Sequence, residues 1–179
     1  MPITVHDDKK TQELGEYEVG AANSQCDFPG IAQCFAIVGQ SEGKLVCAHV
    51  SPGTTRDQMT QIFNGLTAKG GGSVTSWYVV GPCNEHFKGN RTIWKSRKDI
   101  RETFNEAYSK DTQVFLLDAS NERAEKFYDE VSGLNVTNRA IGIRATKMGI
   151  GVNFMYRAEQ GRNRYGPWKQ LRIAKFTKL

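Results

Sequence analysis

Apolar and polar residues divide the chain into short β-prone runs, interrupted by three stretches of helical period. Tyr17 to Ala21 reads as a first strand, and the polar, turn-rich Asn23 to Gly30 as a loop leading into Ile31. Phe35 to Val38 and Leu45 to Val50 are apolar runs separated by Gly39-Gln-Ser-Glu-Gly43, the pattern of a β-hairpin. Ser51-Pro52-Gly53 ends it. Thr54 then offers an N-cap with Asp57 three residues on, and Met59, Ile62, Phe63 and Leu66 share one face of a helix over Thr55 to Lys69. Gly70-Gly71-Gly72 breaks this helix before a strand over Val74 to Val80. A second helix over Arg97 to Tyr108 aligns Ile100, Phe104, Ala107 and Tyr108, and Gln113 to Leu117 is a strand. Ser120 caps a third helix carrying Ala124, Phe127, Tyr128 and Val131 on one face, with Gly133 as its stop. Strands over Ala140 to Ala145, Gly149 to Tyr156 and Gln170 to Phe176 follow, with Glu159 to Pro167 as a surface loop. The expected fold is mixed α/β: a central β-sheet or β-sandwich of mixed strand directions, flanked by about three helices.

Length and composition narrow this to one domain over residues 1–179, with 39% hydrophobic residues to build its core. No apolar run approaches the roughly 18 residues a membrane span needs. The charged Met1 to Gly15 is not a secretory signal, so the expected location is cytoplasmic, or export into a host cell without a cleaved signal. Net charge is +5, from 24 Lys and Arg against 19 Asp and Glu. That is too small an excess for a charge-driven nucleic-acid binder.

The hairpin brings chemistry with it. If Gln40 and Gly43 flank the tight turn, Cys34 lies directly opposite His49. If the turn centres on Glu42-Gly43, His49 faces Ala36 and Cys34 is its diagonal neighbour on the same face. Either spacing lets an imidazole reach a thiol, with directly opposed Cβ atoms about 5 Å apart and diagonal ones about 7–8 Å. A neighbouring imidazolium stabilises the thiolate and can later protonate a departing amine. The Cys34 N–H and one from the preceding loop can address a developing oxyanion. Cys47 shares the face of His49 along the same strand and reads as core. The other reading of Cys34 and His49 is a buried core pair with no chemistry.

Gly30-Ile-Ala-Gln-Cys34-Phe-Ala-Ile37 resembles the Gly-Leu-Gly-Ser-Cys-Val-Ala-Val stretch of the CheD chemoreceptor glutamine deamidases. Gly43-Lys-Leu-Val-Cys-Ala-His49-Val-Ser-Pro-Gly53 resembles the strand carrying their catalytic histidine, and cytotoxic necrotizing factor-type toxins use a similar pair. The likeness takes in Gly15 to Gly20, the helix after the hairpin and Val79-Val-Gly-Pro-Cys-Asn84, rather less than half the chain. It implies that Cys34 attacks the side-chain amide of a glutamine in a partner protein, with His49 as base and then acid and no cofactor or metal. The actor would be a housekeeping enzyme or an effector acting on a host protein. Two positions depart from that pattern. Gln33 stands where those enzymes carry Ser or Gly, and Phe28 where a threonine orients the histidine. A backbone carbonyl, Ser24 or Asp27 is then expected to hold His49, and Gln33, Cys83 and Asn84 to line the cleft.

Two further signals bear on function. Cys83 and His86 form a C-x-x-H whose partner cysteines lack ligand-like spacing, so zinc is not expected. Gly161 to Lys169, with Arg172, Lys175 and Lys178, mixes cations and aromatics without any nucleic-acid-binding motif. It supports the competing class, a non-catalytic basic binding module. Another thiol acyl-transfer enzyme, a cysteine protease or a transglutaminase, shares the thioester step with a deamidase.

Overall fold

Two strands set the architecture because they are buried on both faces. These are β4 (Phe35–Ser41) and β5 (Lys44–Val50), joined through the turn at Gly43, whose φ of 76° suits glycine. In the computed structural model, which describes residues 1–41, 43–89, 93–129, 134–137, 140–159, 165–171 and 176–179, they pair with Ser41 against Lys44 and Ala36 against His49. Phe35, Ile37, Val46, Ala48 and Val50 therefore face one layer, and Cys34, Ala36, Val38, Leu45 and Cys47 the other.

The first layer is helical. Helix α1 (Arg56–Ala68) buries Met59, Ile62, Phe63 and Leu66 against the sheet, and α3 (Arg97–Ala107) buries Ile100 and Phe104. Trp77 and Tyr108 stack there at 5.1 Å. The second layer is the sheet itself, curled over. Its order is β12 (Lys169–Gln170), β11 (Gly151–Glu159), β10 (Ala140–Met148), β3 (Glu18–Ile31), β5, β4, β6 (Ser76–Gly81), β7 (Gln113–Asp118) and β13 (Phe176–Lys178). β1 (Thr4–Val5) and β2 (Lys9–Glu13) run parallel to β3, and β6 runs parallel to β7. Tyr78 on β6 meets Phe154 on β11 and Phe176 on β13 at 5.5 and 5.4 Å, which closes the two ends of the sheet over a common core. This is a mixed α/β fold, a curled sheet of mixed strand directions flanked by helices. Among the described residues no helix is long and apolar enough to cross a membrane.

Several elements differ from the sequence expectation. The loop over Asn23 to Gly30 is the second half of the 14-residue β3, because β2 and β10 satisfy its backbone while Cys26 and Phe28 alternate into the core. The polar N-terminus supplies β1 and β2. Helix α1 is capped by Thr55, with Gln58 completing the capping box, since Thr54 is buried and its N–H donates to the Ser51 carbonyl. The third helix stops early. Helix α4 (Ser120–Ala124) gives way to a hairpin of β8 (Lys126–Asp129) and β9 (Leu134–Thr137), in which Phe127 and Tyr128, β-prone aromatics, sit in a ladder instead of on a helical face. Val131 and Gly133 lie outside the described residues. So does most of the Glu159 to Pro167 loop, of which Tyr165 pairs with Glu159. A short helix α2 (Cys83–His86), not foreseen, follows β6.

Gly81 makes a tight approach to the start of β4. A Cβ there would press on the Cys34 carbonyl oxygen and stand 2.5 Å from Phe35 Cδ1. Gly81→Ala is expected to lower stability by about 1–3 kcal/mol. Gly72→Ala, where a Cβ meets nothing within 4 Å, is expected to change it by under about 0.5 kcal/mol. Urea denaturation of the two variants checks the contrast.

Candidate functional site

His49 sits on β5 with its ring in the curled layer, 1% exposed. Its Nδ1 lies 2.9 Å from the Leu14 carbonyl oxygen. A carbonyl accepts and never donates, so this bond puts the neutral ring's proton on Nδ1 and leaves Nε2 with a bare lone pair. Nε2 is buried and has no hydrogen-bond partner among the described residues. Phe28 packs edge-on to the ring at 6.1 Å, occupying the place where the resemblance puts a threonine.

Cys34 stands immediately before β4, 3% exposed, as the diagonal neighbour of His49 on one sheet face. Directly across from it the register continues to Ser51, whose hydroxyl bonds the thiol. Burial is the main reason the Cys34 thiol titrates well above its ordinary value. The Glu16 carboxylate, which both repels the thiolate and accepts from the thiol, adds to this. The Gln33 N–H and the Ser51 hydroxyl oppose it. Burial likewise lowers the pKa of His49, against the Leu14 carbonyl and the charges of Glu16 and Glu18. In this closed arrangement the pair is a neutral thiol and a neutral imidazole.

The segment covering the pair is the Leu14–Tyr17 turn. It is fastened to His49 at both ends: Leu14 accepts from the ring, and the Tyr17 N–H donates to the His49 carbonyl at 3.0 Å. Tyr17 has φ of 65°, the left-handed region that a non-glycine residue occupies at a cost. Glu16, exposed, lies between these anchors, and its carboxylate acts on the Cys34 thiol both as a charge and as an acceptor. Sequence reasoning missed Glu16, Leu14 and Ser51. The only signal for them was their nearness to the hairpin and first strand.

The expected orienting residues are placed as follows. The backbone carbonyl is realised in Leu14. Ser24 instead donates to the Lys10 carbonyl at 2.8 Å, and Asp27 holds Arg144 through two bonds of 2.9 and 2.8 Å, because β2 and β10 flank this part of β3 and claim its side chains. Gln33 is exposed beside Cys34. Cys83 belongs to the helical layer, on the far side of the sheet from the Cys34 thiol, because Gly81-Pro82 turns the chain into α2. Asn84 is exposed on α2, with its N–H on Ser120 Oγ at 3.2 Å. His86, next to them, donates from Nδ1 to the Gln33 carbonyl at 2.7 Å and lies tilted against Phe35 with ring centroids 4.2 Å apart.

Of the cation–aromatic segment, Gly161 to Arg164 lie outside the described residues, while Tyr165, Trp168 and Lys169 pack against β10 and β11. Arg144 lies over Trp168 at 4.2 Å and Arg157 over Tyr165 at 3.9 Å, while carboxylates pair with both arginines and with Lys169 (Asp27, Glu159 and Glu125 respectively). These three cations are neutralised locally, which removes them from a free basic face. Arg172 and Lys175 lie outside the described residues.

Two buried neutral histidines make stability depend on acid. Burial lowers the pKa of His86 to about 4, against the Gln33 carbonyl, and His49 is lowered as well. Unfolded histidines bind protons near pH 6.5, so below that the unfolded state takes up protons that the folded state refuses. Stability is therefore present above about pH 6.5 and is lost as pH falls toward 4. The loss through His86 is expected to be on the order of 3 kcal/mol. His86→Phe should flatten the profile in urea titrations between pH 7 and pH 4. Compared with protein-family models, with curated proteins and with solved structures, the chain matches none.

Proposed function

We propose that the chain is a Cys–His protein glutamine deamidase. The observation that carries this reading is the His49 imidazole held by Leu14 in the tautomer that leaves Nε2 buried and without a partner among the described residues, on the same sheet face as Cys34. A neutral imidazole poised in this way takes a proton from a thiol. A core histidine with a purely structural role would be expected to have both nitrogens satisfied.

The reaction follows from the groups present. Nε2 takes the Cys34 proton as Sγ attacks the amide carbon of a glutamine side chain. A C–S bond forms and the carbonyl π pair moves onto oxygen. Collapse of that oxyanion breaks the C–N bond, and the imidazolium gives its proton to the departing nitrogen, which leaves as ammonia. Water, deprotonated by Nε2, then attacks the thioester; the C–S bond breaks, glutamate forms and the thiol is restored. A thiol this buried favours an unbranched side chain over a main-chain peptide. Glu16 is also placed to accept from the amide NH2 of such a side chain.

Iodoacetamide labelling of Cys34 between pH 5 and 9 tests the pair. His49→Ala is expected to slow labelling at pH 7 at least about tenfold. Glu16→Gln is expected to speed it, since the charge and the acceptor that hold the thiol protonated are both gone. Labelling indifferent to His49 would sink the catalytic reading. Glutamine specificity is read separately, as ammonia release with a mass gain of about 1 Da on a protein substrate, lost in Cys34→Ala.

A further inference from the structure

The chain leaves β3 at the buried Ile31 and bends at Ala32 and Gln33 before Cys34, and three side chains from distant parts of the chain hold this segment. Glu159 Oε2 accepts from the Gly30 N–H at 2.7 Å, at the point where Gly30 adopts φ of 70°. Arg123 Nε donates to the Ala32 carbonyl at 2.9 Å. His86 Nδ1 donates to the Gln33 carbonyl at 2.7 Å.

Arg123 and His86 sit on neighbouring elements. Helices α4 and α2 pack together, and the Asn84 N–H reaches Ser120 Oγ, so both donors draw carbonyls toward the same side of the loop. In a trans peptide the C=O and N–H point in opposite directions. Turning the Ala32 carbonyl toward Arg123 turns the Gln33 N–H away from it, and turning the Gln33 carbonyl toward His86 does the same for the Cys34 N–H. The Gln33 N–H acts on the Cys34 thiol in the direction that favours its thiolate. Two successive N–H groups facing one point form an anion-binding concavity.

We propose that His86 and Arg123 are positioning residues that, through the carbonyls of Gln33 and Ala32, aim the N–H groups of Cys34 and Gln33 at the oxyanion of the acyl-transfer step. The inference rests on the deamidase reading only in needing a Cys34 thiol that attacks a carbonyl. His86 acts as a neutral donor, its contact with Phe35 fixing the ring plane and Gly81 giving the Cys34 carbonyl room on the other side. The charge on the attacked oxygen develops only in the transition state, so the contribution falls on acyl transfer and not on displacement at a saturated carbon.

Two small probes separate these chemistries. Iodoacetamide alkylates Sγ with loss of iodide and no oxyanion, whereas p-nitrophenyl acetate acylates it through one and releases p-nitrophenolate. His86→Phe keeps a ring against Phe35 and removes the donor. It is expected to lower the Cys34 acylation rate by about 100-fold, with alkylation within about twofold of the parent. His86→Asn, which restores an N–H donor, should recover most of the loss. Arg123→Met, with a drop of about tenfold, carries the same comparison should His86→Phe fail to fold. Acylation and alkylation falling together would make both residues merely structural and overturn the proposal. So would acylation unchanged in both variants, or a parent Cys34 that alkylates but does not acylate. If only the deamidase reading is wrong, the split between the two probes persists while no glutamine substrate releases ammonia.

Discussion

The register of β4 against β5 is the constraint on which the site depends. Pairing Ser41 with Lys44 leaves a two-residue turn, and that even count puts Cys34 and His49 on one face of the sheet. A slip of one residue would send one of them into the helical layer. The slip is opposed from both sides, because β4 and β5 are buried on both faces. Phe35, Ile37 and Val50 are committed to the helices, and Ala36, Val38 and Leu45 to the curled layer. Gly39 reinforces the choice: Trp77 and Val74 lie within 2.8 Å of where its Cβ would be, so no larger residue fits at that place in the ladder.

This constraint explains why the pair was legible in the sequence. Alternation with period two is local, and a turn of even length at either of two positions keeps Cys34 and His49 together, while only an odd-length loop would separate them. The structure takes the second, with Ala36 opposite His49. What surrounds the pair was not legible, for an equally physical reason. Leu14 acts through its carbonyl, a group every residue has, and Glu16 looks like any exposed charge in a polar terminus. The continuation of β3 through Asn23 to Gly30 was hidden because partners on β2 and β10 decide it, and hydrogen bonding to a neighbouring strand overrides a turn-rich composition. The hairpin of β8 and β9 misled for the converse reason. Ala124, Phe127 and Tyr128 fit a helical face, and nothing local weighs that against a cross-strand pairing.

The geometry of the hairpin would be idle without the two turns that fasten onto it. The Leu14–Tyr17 turn is tied at both ends to a single residue, His49, so the strained backbone at Tyr17 is held by bonds that also fix the imidazole. The loop before Cys34 is tied to β11, α4 and α2 by side chains separated by up to 129 residues in sequence. The curled layer, the helix after β6 and the helix after β7 therefore all converge on one four-residue segment. That concentration of long-range hydrogen bonds on a single loop is a larger ordering cost than a mere strand connection requires.

Burial also resolves an apparent conflict in the electrostatics. A working thiolate–imidazolium pair needs the Cys34 pKa lowered and the His49 pKa raised, and the closed site does the reverse to each. Both displacements have burial as their first cause, and burial disfavours a charge of either sign. Glu16 does not act symmetrically: its carboxylate favours the imidazolium but opposes the thiolate. Displacing that one exposed side chain with a neutral amide would remove the charge facing the thiol and replace it with a polar ligand. The Gln33 N–H and the Ser51 hydroxyl, which already stabilise the thiolate, would then act unopposed by it. On the deamidase reading proposed above, such a site would keep the Cys34 thiol protonated until the carbonyl it attacks is in place.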